Sequence, residues 1–134
     1  MTWLIDTNIV AYVLNDAGSV RVRLNESSRV GRVVTSIIVV AELMYGVERS
    51  SRREANRSRV ERELSSIEIA PLTLGSVTHF GRLKAELRTR GIAKSDLDLL
   101  IAANALDLGA TLVTHDQALL DGAIHGLAVE DWYV

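Results

Sequence analysis

Four acidic residues stand where a strand would end or a helix would begin. They are Asp6, Glu42, Asp98 and Asp116. Asp6 directly follows the apolar run Trp3-Leu4-Ile5. Asp116 follows Leu112-Val113-Thr114 after one intervening residue, His115. Because ligands of an open parallel sheet bind outside the carboxyl ends of its strands, we expect these acids to converge at one edge.

Converging carboxylates predict a metal centre. Without cations they repel one another and raise each other's pKa. A hard divalent cation removes that repulsion, and a set of oxygen-only ligands suits Mg²⁺ or Mn²⁺. Mg²⁺ keeps several waters and tends to meet phosphate oxygens. The implied chemistry is attack of a metal-activated water on a phosphodiester, with the four acids as candidate catalytic and metal-binding residues.

Each acid, taken alone, also fits an ordinary structural role. Asp6 could cap the helix that follows it, which is a common arrangement. Asp98 lies at capping-box distance from a preceding serine, and Asp116 fits a turn. Glu42 fits such a role least well, because it lies between two apolar residues of a predicted helix. The hypothesis of a site therefore depends on the four acids together.

The spacing of apolar residues predicts the elements that position these acids. Strands are predicted over residues 3–5, 33–36, 67–69, 111–114 and 127–129. Helices are predicted directly after Asp6 and over residues 37–50, 52–65, 74–90 and 96–108. Strands that alternate with helices imply an α/β fold, a three-layer sandwich around a mostly parallel sheet. Since no repeat, low-complexity tract or linker interrupts the chain, we expect a single domain over residues 1–134.

Composition excludes several other classes of protein. The chain has 134 residues and no cysteine, which excludes disulfides and Cys-ligated metal sites. It is 48% hydrophobic and 24% charged, as expected for a globular protein. No apolar run approaches the roughly 18 residues of a membrane span, and the first residues lack the basic region of a secretory signal. We therefore expect a cytoplasmic protein that does not contact a membrane.

Four segments resemble, in order, the motifs of the PIN-domain family. They are Asp6-Thr7-Asn8, Ala41-Glu42-Leu43, Asp98-Leu99-Leu100-Ile101-Ala102-Ala103 and Leu112-Val113-Thr114-His115-Asp116. The resemblance covers essentially the whole chain and is closest to the VapC-type toxins of prokaryotic toxin–antitoxin pairs. It implies a PIN-like fold and an Mg²⁺- or Mn²⁺-dependent endoribonuclease, which is often dimeric and is neutralised by a cognate antitoxin. We accordingly expect a homodimer with an antitoxin partner and an RNA substrate.

The resemblance also assigns roles to individual residues. Carried over by motif, the acidic site residues are Asp6, Glu42, Asp98 and Asp116. Thr7, Asn8 and Thr114 would be supporting polar residues that orient ligands or water. Asp96 is an extra acid two residues before Asp98, about 200° away around a helix, and is the alternative ligand. Asp98 is preferred because an Ile-Ala-Ala segment follows it at the spacing of the family.

Arginines are concentrated in one part of the chain. The formal net charge is −2, but residues 21–62 contain ten arginines and five glutamates. Such a basic region could gather a polyanion, or it could be a solvated helical face. If the substrate is RNA, the candidates for its path lie on or beside the helix after Glu42: Arg49, Arg52, Arg53 and Arg57. Arg49 and Arg53 are four residues apart and would share a helical face, as would Arg53 and Arg57.

Two other functions fit part of the pattern. A Mg²⁺-dependent phospho-acceptor signalling domain also places acids at strand ends, but it needs an acidic pair after the first strand and a lysine after the last. This chain has one acid after its first predicted strand, and neither Lys84 nor Lys94 follows a strand. A catalytically silent PIN-fold module that binds a partner is the other alternative, and the presence of all four acids argues against it.

Overall fold

The computed structural model describes residues 1–133, which fold around one parallel sheet. Its strands are β1 (Thr2–Ile5), β2 (Arg32–Ser36), β3 (Glu68–Ala70), β4 (Thr111–Val113) and β5 (Val129–Glu130). They lie in the order β3-β2-β1-β4-β5, and every neighbouring pair is parallel. The first strand is therefore central. Because all five strands are parallel, their carboxyl ends lie along the same edge of the sheet.

Helices connect the strands and cover the sheet. They are α1 (Thr7–Leu14), α2 (Val20–Val30), α3 (Ile37–Arg49), α4 (Arg53–Leu64), α5 (Leu74–Thr89), α6 (Asp96–Leu108) and α7 (Gln117–Leu120). The predicted α/β three-layer sandwich is confirmed, and the sheet is parallel throughout residues 1–133. Within that range no helix combines the length and the apolar character needed to cross a membrane.

The hydrophobic core surrounds the central strands of the sheet. Leu4 and Ile5 of β1 and Leu112 of β4 are 0% exposed, because helices cover both faces of the sheet. Ile101 of α6 is also fully buried, and small alanines around it let that helix pack closely. Trp132 follows the last strand and meets Trp3 edge-on at 6.3 Å between ring centroids. Residues at the ends of the central strands are thus held in fixed positions.

Several helices begin at the carboxyl edge of this sheet with a side-chain cap. The helices α1, α3 and α7 start where β1, β2 and β4 end, and α6 starts after the loop that follows α5. Each capping side chain accepts a hydrogen bond from a backbone N–H in the first turn of its helix. The caps are Asp6 for α1, Ser36 for α3, Ser95 for α6 and Asp116 for α7. The structural roles considered for Asp6 and Asp116 are therefore real, and both acids stand at the predicted edge.

Two helices were missed by the sequence analysis. The buried face of α2 consists of Val20, Leu24 and Ser27, so a serine takes the third position of its apolar stripe and weakens the periodic signal. The helix α7 has only four residues, which is too short for any period to show. The last strand was predicted over residues 127–129 and lies instead at Val129–Glu130.

The prediction that Arg49 and Arg53 share a helical face is wrong. Arg49 is the last residue of α3, and Arg53 is the first residue of α4. The intervening Ser50 and Arg52 have non-helical backbone angles, with φ −80° and ψ 158° at Ser50 and φ −119° and ψ 61° at Arg52. The break places the two arginines on different helices, whereas Arg53 and Arg57 do lie together on α4.

Candidate active site

Asp6 lies at the junction of β1 and α1 and is the most buried of the four predicted acids. Its exposed fraction is 4%, and its backbone N–H donates to the Val113 carbonyl at 2.9 Å. Its carboxylate accepts hydrogen bonds from the backbone N–H of Thr7 and from Oγ1 of Thr114, each at 2.7 Å. Strand pairing and side-chain contacts therefore fix the Asp6 carboxylate at the centre of the sheet edge.

Burial and neighbouring acids make this edge unfavourable for negative charge. Burial raises the pKa of Asp6 to about 6, the hydrogen bonds from Thr114 and Thr7 oppose the rise, and the charges of Glu42 and Asp98 add to it. Burial also raises the pKa of Asp98. A cation at this edge would reverse both effects, because it stabilises the ionised carboxylates.

Glu42 is connected to Asp6 through Thr7. The Thr7 hydroxyl donates to Oε1 of Glu42 at 2.7 Å, which joins α1 to the second turn of α3. Glu42 is half-buried, and together with Thr7 it lines a cleft of about 360 Å³. The position of Glu42 among apolar residues is thereby explained, because its carboxylate faces this cleft rather than the core.

The other two supporting residues hold the segment after β4. Thr114 is fully buried, and its hydroxyl both donates to Asp6 and accepts from the backbone N–H of Asp116 at 3.1 Å. The side-chain oxygen of Asn8 accepts from the backbone N–H of His115 at 3.1 Å. These contacts place half-buried Asp116 beside Asp6 and leave one of its carboxylate oxygens, Oδ1, as the cap of α7.

Asp98 and Asp96 have different environments although both lie in the first turn of α6. Asp98 is half-buried, and its pKa is raised first by burial and further by the charge of Asp116. The side chain of Asp96 is 58% exposed and forms an ion pair with Lys84 at 2.8 Å. Asp98 therefore faces the other acids, whereas Asp96 faces a lysine of α5.

The donor set fits a hard divalent cation by its chemistry. Within residues 1–133, no three His, Asp or Glu side chains are close enough together to form a complete metal cluster. None of the four acids forms a salt bridge with a described residue, whereas surface acids such as Asp96 and Glu63 do. Mg²⁺ commonly takes one or two carboxylates and keeps several waters, so an incomplete set of protein ligands is what it requires.

Comparison with known proteins identifies the family. Residues 3–124 match the PIN domain family. The chain belongs to the PIN domain family. It is 35% identical over 133 residues to Ribonuclease VapC2 of Rickettsia felis, with 98% of each chain covered. It is 32% identical to the tRNA(fMet)-specific endonuclease VapC of Shigella flexneri, again with 98% of each chain covered. The resemblance to VapC-type members noted in the motifs is confirmed.

Solved structures agree with this assignment. The VapBC2 complex of Rickettsia felis, bound to a DNA fragment from its promoter, contains a chain with a TM-score of 0.92 and 34% identity. The alignment covers 98% of this PIN-domain chain and 99% of that chain. DNA-bound VapBC of Salmonella typhimurium gives a TM-score of 0.89 at 30% identity, with 98% of each chain covered. The three-layer fold is thus that of the PIN domains in VapBC complexes.

Lys94 is a positioning residue of this PIN domain that sequence reasoning missed. Only 3% of its side chain is exposed, and its ammonium group donates to the Ala118 carbonyl and to Oδ2 of Asp121, the latter at 2.8 Å. It therefore ties the segment of Asp116 to the loop before α6. Its positive charge also lowers the pKa of Asp98, which opposes the effect of burial. The sequence did contain one signal, because Lys94 directly precedes Ser95, the cap of α6, and lies four residues before Asp98.

An aromatic cluster lies beside the site and was also missed. The His115 ring contacts Asp131 at 2.7 Å and packs against Tyr12 and Tyr133, with centroid distances of 5.8 and 4.8 Å. The two tyrosines stack at 4.2 Å. No local signal could have found this cluster, because Tyr12 and Tyr133 come from opposite ends of the chain.

The four arginines predicted to bind RNA are not brought together as one basic surface. Arg53 and Arg57 both pair with Glu48 of α3, at 3.8 Å for Arg53. Arg49 lies over the ring of Tyr45, and Arg52 is exposed before α4. The cleft beside Glu42 is instead lined by three other residues of α4, Asn56, Arg59 and Val60. The role of the four predicted arginines in RNA binding stays a prediction.

Proposed function

We propose that this PIN-domain chain is a divalent-metal-dependent endoribonuclease, the toxin of a toxin–antitoxin pair, and that it hydrolyses RNA phosphodiester bonds. The observation that carries the proposal is the set Asp6, Glu42, Asp98 and Asp116 at the carboxyl edge of the sheet, whose charges act on one another and none of which forms a salt bridge within residues 1–133. The names of relatives aligned over 98% of the chain, Ribonuclease VapC2 and tRNA(fMet)-specific endonuclease VapC, support this choice of reaction.

In the proposed mechanism, acidic side chains bind the metal ion, and neighbouring polar side chains orient their carboxylates. Asp6, Glu42, Asp98 and Asp116 would hold Mg²⁺ or Mn²⁺, with Asp96 the weaker candidate because Lys84 already pairs with it. When bound, such an ion supplies a more acidic water and stabilises charge that develops on a phosphate. Thr114 orients the Asp6 carboxylate and Thr7 orients that of Glu42, through hydrogen bonds of 2.7 Å each. Asn8 fixes the loop that precedes Asp116.

The proposed partners are RNA, a cognate antitoxin and a second copy of the chain. The VapBC complexes that share the fold support an antitoxin partner. Three large apolar side chains stand exposed near the site edge, with exposed fractions of 64% for Tyr45, 45% for Leu97 and 42% for Ile37. Exposed apolar side chains of this kind are typical of protein–protein contacts. We propose a homodimer, located in the cytoplasm, and a stable monomer in sedimentation at micromolar concentration would contradict the dimer.

Cleavage of RNA by the purified chain tests the function directly. Total bacterial RNA and purified tRNA are incubated with the protein in Mg²⁺, in Mn²⁺ and in EDTA. We expect cleavage with either ion and none in EDTA, and Asp6→Asn purified in parallel reveals any contaminating nuclease. Equal cleavage in EDTA would contradict the metal requirement. Absence of cleavage under all conditions, together with a stable antitoxin complex, would favour the catalytically silent module.

A further inference from the structure

Two adjoining clefts lie along α4, and the first of them is lined by Glu42 of the acid site. The cleft of about 360 Å³ that contains Thr7 and Glu42 is also lined by Arg59. A second cleft of about 400 Å³ is lined by the same arginine together with Arg21 and Arg62. The two clefts adjoin, because both are lined by Arg59 and Leu14, and we call them together the α4 groove. One end of the α4 groove is the acid site, and the other end lies among arginines.

The charge of the α4 groove changes sign along its length. Glu42 supplies negative charge at the end nearest the site. At the far end, Glu63 is paired with Arg21 at 2.8 Å. Arg59 and Arg62 have no carboxylate partner within residues 1–133, so positive charge remains in excess there. A polyanion with a phosphate at the acid site would therefore meet positive charge as it follows the groove.

Arg59 is held in place and still has free donors. Its Nη2 donates to the Leu14 carbonyl at 2.8 Å and to Oδ1 of Asn15 at 3.3 Å, both at the end of α1. A guanidinium group has five N–H donors, and these contacts use only Nη2. The Nε and Nη1 groups of Arg59 have no hydrogen-bond partner among the described residues. A fixed guanidinium with free donors is well suited to bind a phosphate.

We propose that the α4 groove binds the single-stranded RNA that extends from the scissile phosphate, with Arg59 and Arg62 as phosphate-binding residues. The inference depends on the proposed ribonuclease function. A cation at the acids neutralises only the phosphate that it touches, so adjacent phosphates need basic side chains of their own. Arg53 and Arg57, which the sequence favoured, are less suited because Glu48 already neutralises part of their charge.

Salt-dependent RNA binding tests the groove separately from catalysis. The parent protein is Asp6→Asn, which we expect to bind RNA while cleaving it at least about a hundredfold more slowly. A fluorescein-labelled single-stranded RNA of about 12 nucleotides is titrated with protein by fluorescence anisotropy over a series of NaCl concentrations. We expect the further change Arg59→Gln/Arg62→Gln to weaken binding about tenfold or more, and to reduce the salt slope by about 0.7 per lost phosphate contact.

Two further variants separate charge from structure and position. Arg29→Gln/Arg88→Gln removes two exposed arginines that do not line the groove, and we expect less than a twofold change in affinity. Arg59→Lys/Arg62→Lys keeps the charge, so its salt slope should stay near that of the parent. Thermal unfolding of each variant identifies any loss of the fold that could follow from the contact between Arg59 and Leu14.

Three outcomes would overturn the proposal. The first is unchanged affinity and salt slope in Arg59→Gln/Arg62→Gln, and the second is a larger loss in Arg53→Gln/Arg57→Gln. The third is normal RNA binding by the groove variant together with lost binding of the antitoxin, which would make the groove a protein-binding site. Cleavage of total RNA by the unmodified protein is measured independently. If the groove variants contradict RNA binding by the groove while the unmodified protein still cleaves RNA, only the groove proposal is overturned and the proposed ribonuclease function stands.

Discussion

Charge is arranged in opposite ways in two regions of this molecule. At the carboxyl edge of the sheet, four carboxylates approach one another without a basic partner, and burial raises the pKa of Asp6 to about 6. Along α4 and its neighbours, charges are paired, as with Arg53 and Arg57 on Glu48 and with Arg21 on Glu63. Ion pairs compensate part of the charge in the second region, where Arg59 and Arg62 remain unpaired among the described residues, whereas none of the four acids in the first region forms a salt bridge there.

The difference indicates where a ligand is needed. Exposed ion pairs contribute only about 0–1 kcal/mol each, so the pairs on α4 are weak evidence for any function. A buried carboxylate without a counter-charge is costly, and a fold retains one where a bound ion compensates for it. The partners of each side chain therefore distinguish the two regions.

Removing the central carboxylate should have the largest effect on activity. Asp6→Asn keeps the shape of the side chain but removes the negative charge that would hold a divalent ion. We expect RNA cleavage to fall by on the order of a hundredfold or more, with an unchanged circular dichroism spectrum. Loss of the folded spectrum would instead mean that Asp6 is mainly a structural cap.

The difference in folding stability between Asp6→Asn and the unmodified protein should depend on pH. A raised pKa means that folded, metal-free protein binds a proton at Asp6 more tightly than unfolded protein does. Stability from this group is therefore fully present below about pH 4 and is lost as pH rises to about 6. The loss is roughly 2–3 kcal/mol, and Asp6→Asn should not show it. Urea unfolding in EDTA at pH 4 and pH 7 measures the difference between the two proteins, which should move in favour of Asp6→Asn as pH rises.

The first turn of α6 contains one acid without a salt bridge, Asp98, and one acid paired with a lysine, Asp96, so the effects of the two kinds of acid can be compared there. Asp98→Asn should reduce metal-dependent cleavage by roughly tenfold to a hundredfold, because it removes a half-buried carboxylate that lies near enough to Asp116 for the Asp116 charge to raise its pKa. Asp96→Asn breaks an exposed pair with Lys84 and should change cleavage less than twofold. Both variants keep the side-chain shape and lose one charge, so each is the matched control of the other. The opposite order of effects would move the ligand to Asp96.

The two regions also differ in how far the sequence could predict them. The positions of Asp6 and Asp116 follow from the rule that parallel strands end at one edge, which needs only local patterns and the alternation of elements. Glu42 stood out as well, because a glutamate between two apolar residues of a predicted helix is either partly buried or directed into a cleft. Local patterns suffice here because each of these acids directly follows or interrupts an apolar run.

The arginine region could not be predicted because its outcome depends on packing between helices. The break over residues 50–52 separates Arg49 from Arg53, and the packing of α4 against α3 then brings Arg57 to Glu48. The contacts of Lys94 likewise depend on how the loop before α6 meets α7. Sequence spacing predicts which residues share one element, whereas pairing across elements requires the fold.

Removing the carboxylate that pairs with Arg53 and Arg57 should have the smallest effect on RNA binding and stability. It tests directly whether ion pairing restrains the charges along α4. Glu48→Gln removes the carboxylate that Arg53 and Arg57 share, and the Glu48 side chain is 56% exposed. Its loss should cost at most about 1 kcal/mol of folding free energy, as is typical of exposed pairs. The two freed guanidinium groups should strengthen RNA binding by roughly twofold to threefold at low salt, and the gain should vanish at high salt because exposed charges are screened.

The matched control for this change is Glu54→Gln on α4, the helix that carries Arg53 and Arg57. Glu54 lies in the first turn of α4 and has no salt-bridge partner within residues 1–133, so its substitution alters net charge equally without releasing an arginine. Both variants are compared by fluorescence anisotropy in the Asp6→Asn background. An equal gain in both would show that only net charge matters, and that pairing with Glu48 does not restrain these arginines. A gain confined to Glu48→Gln would show that the ion pairs keep this surface from competing with the α4 groove for RNA.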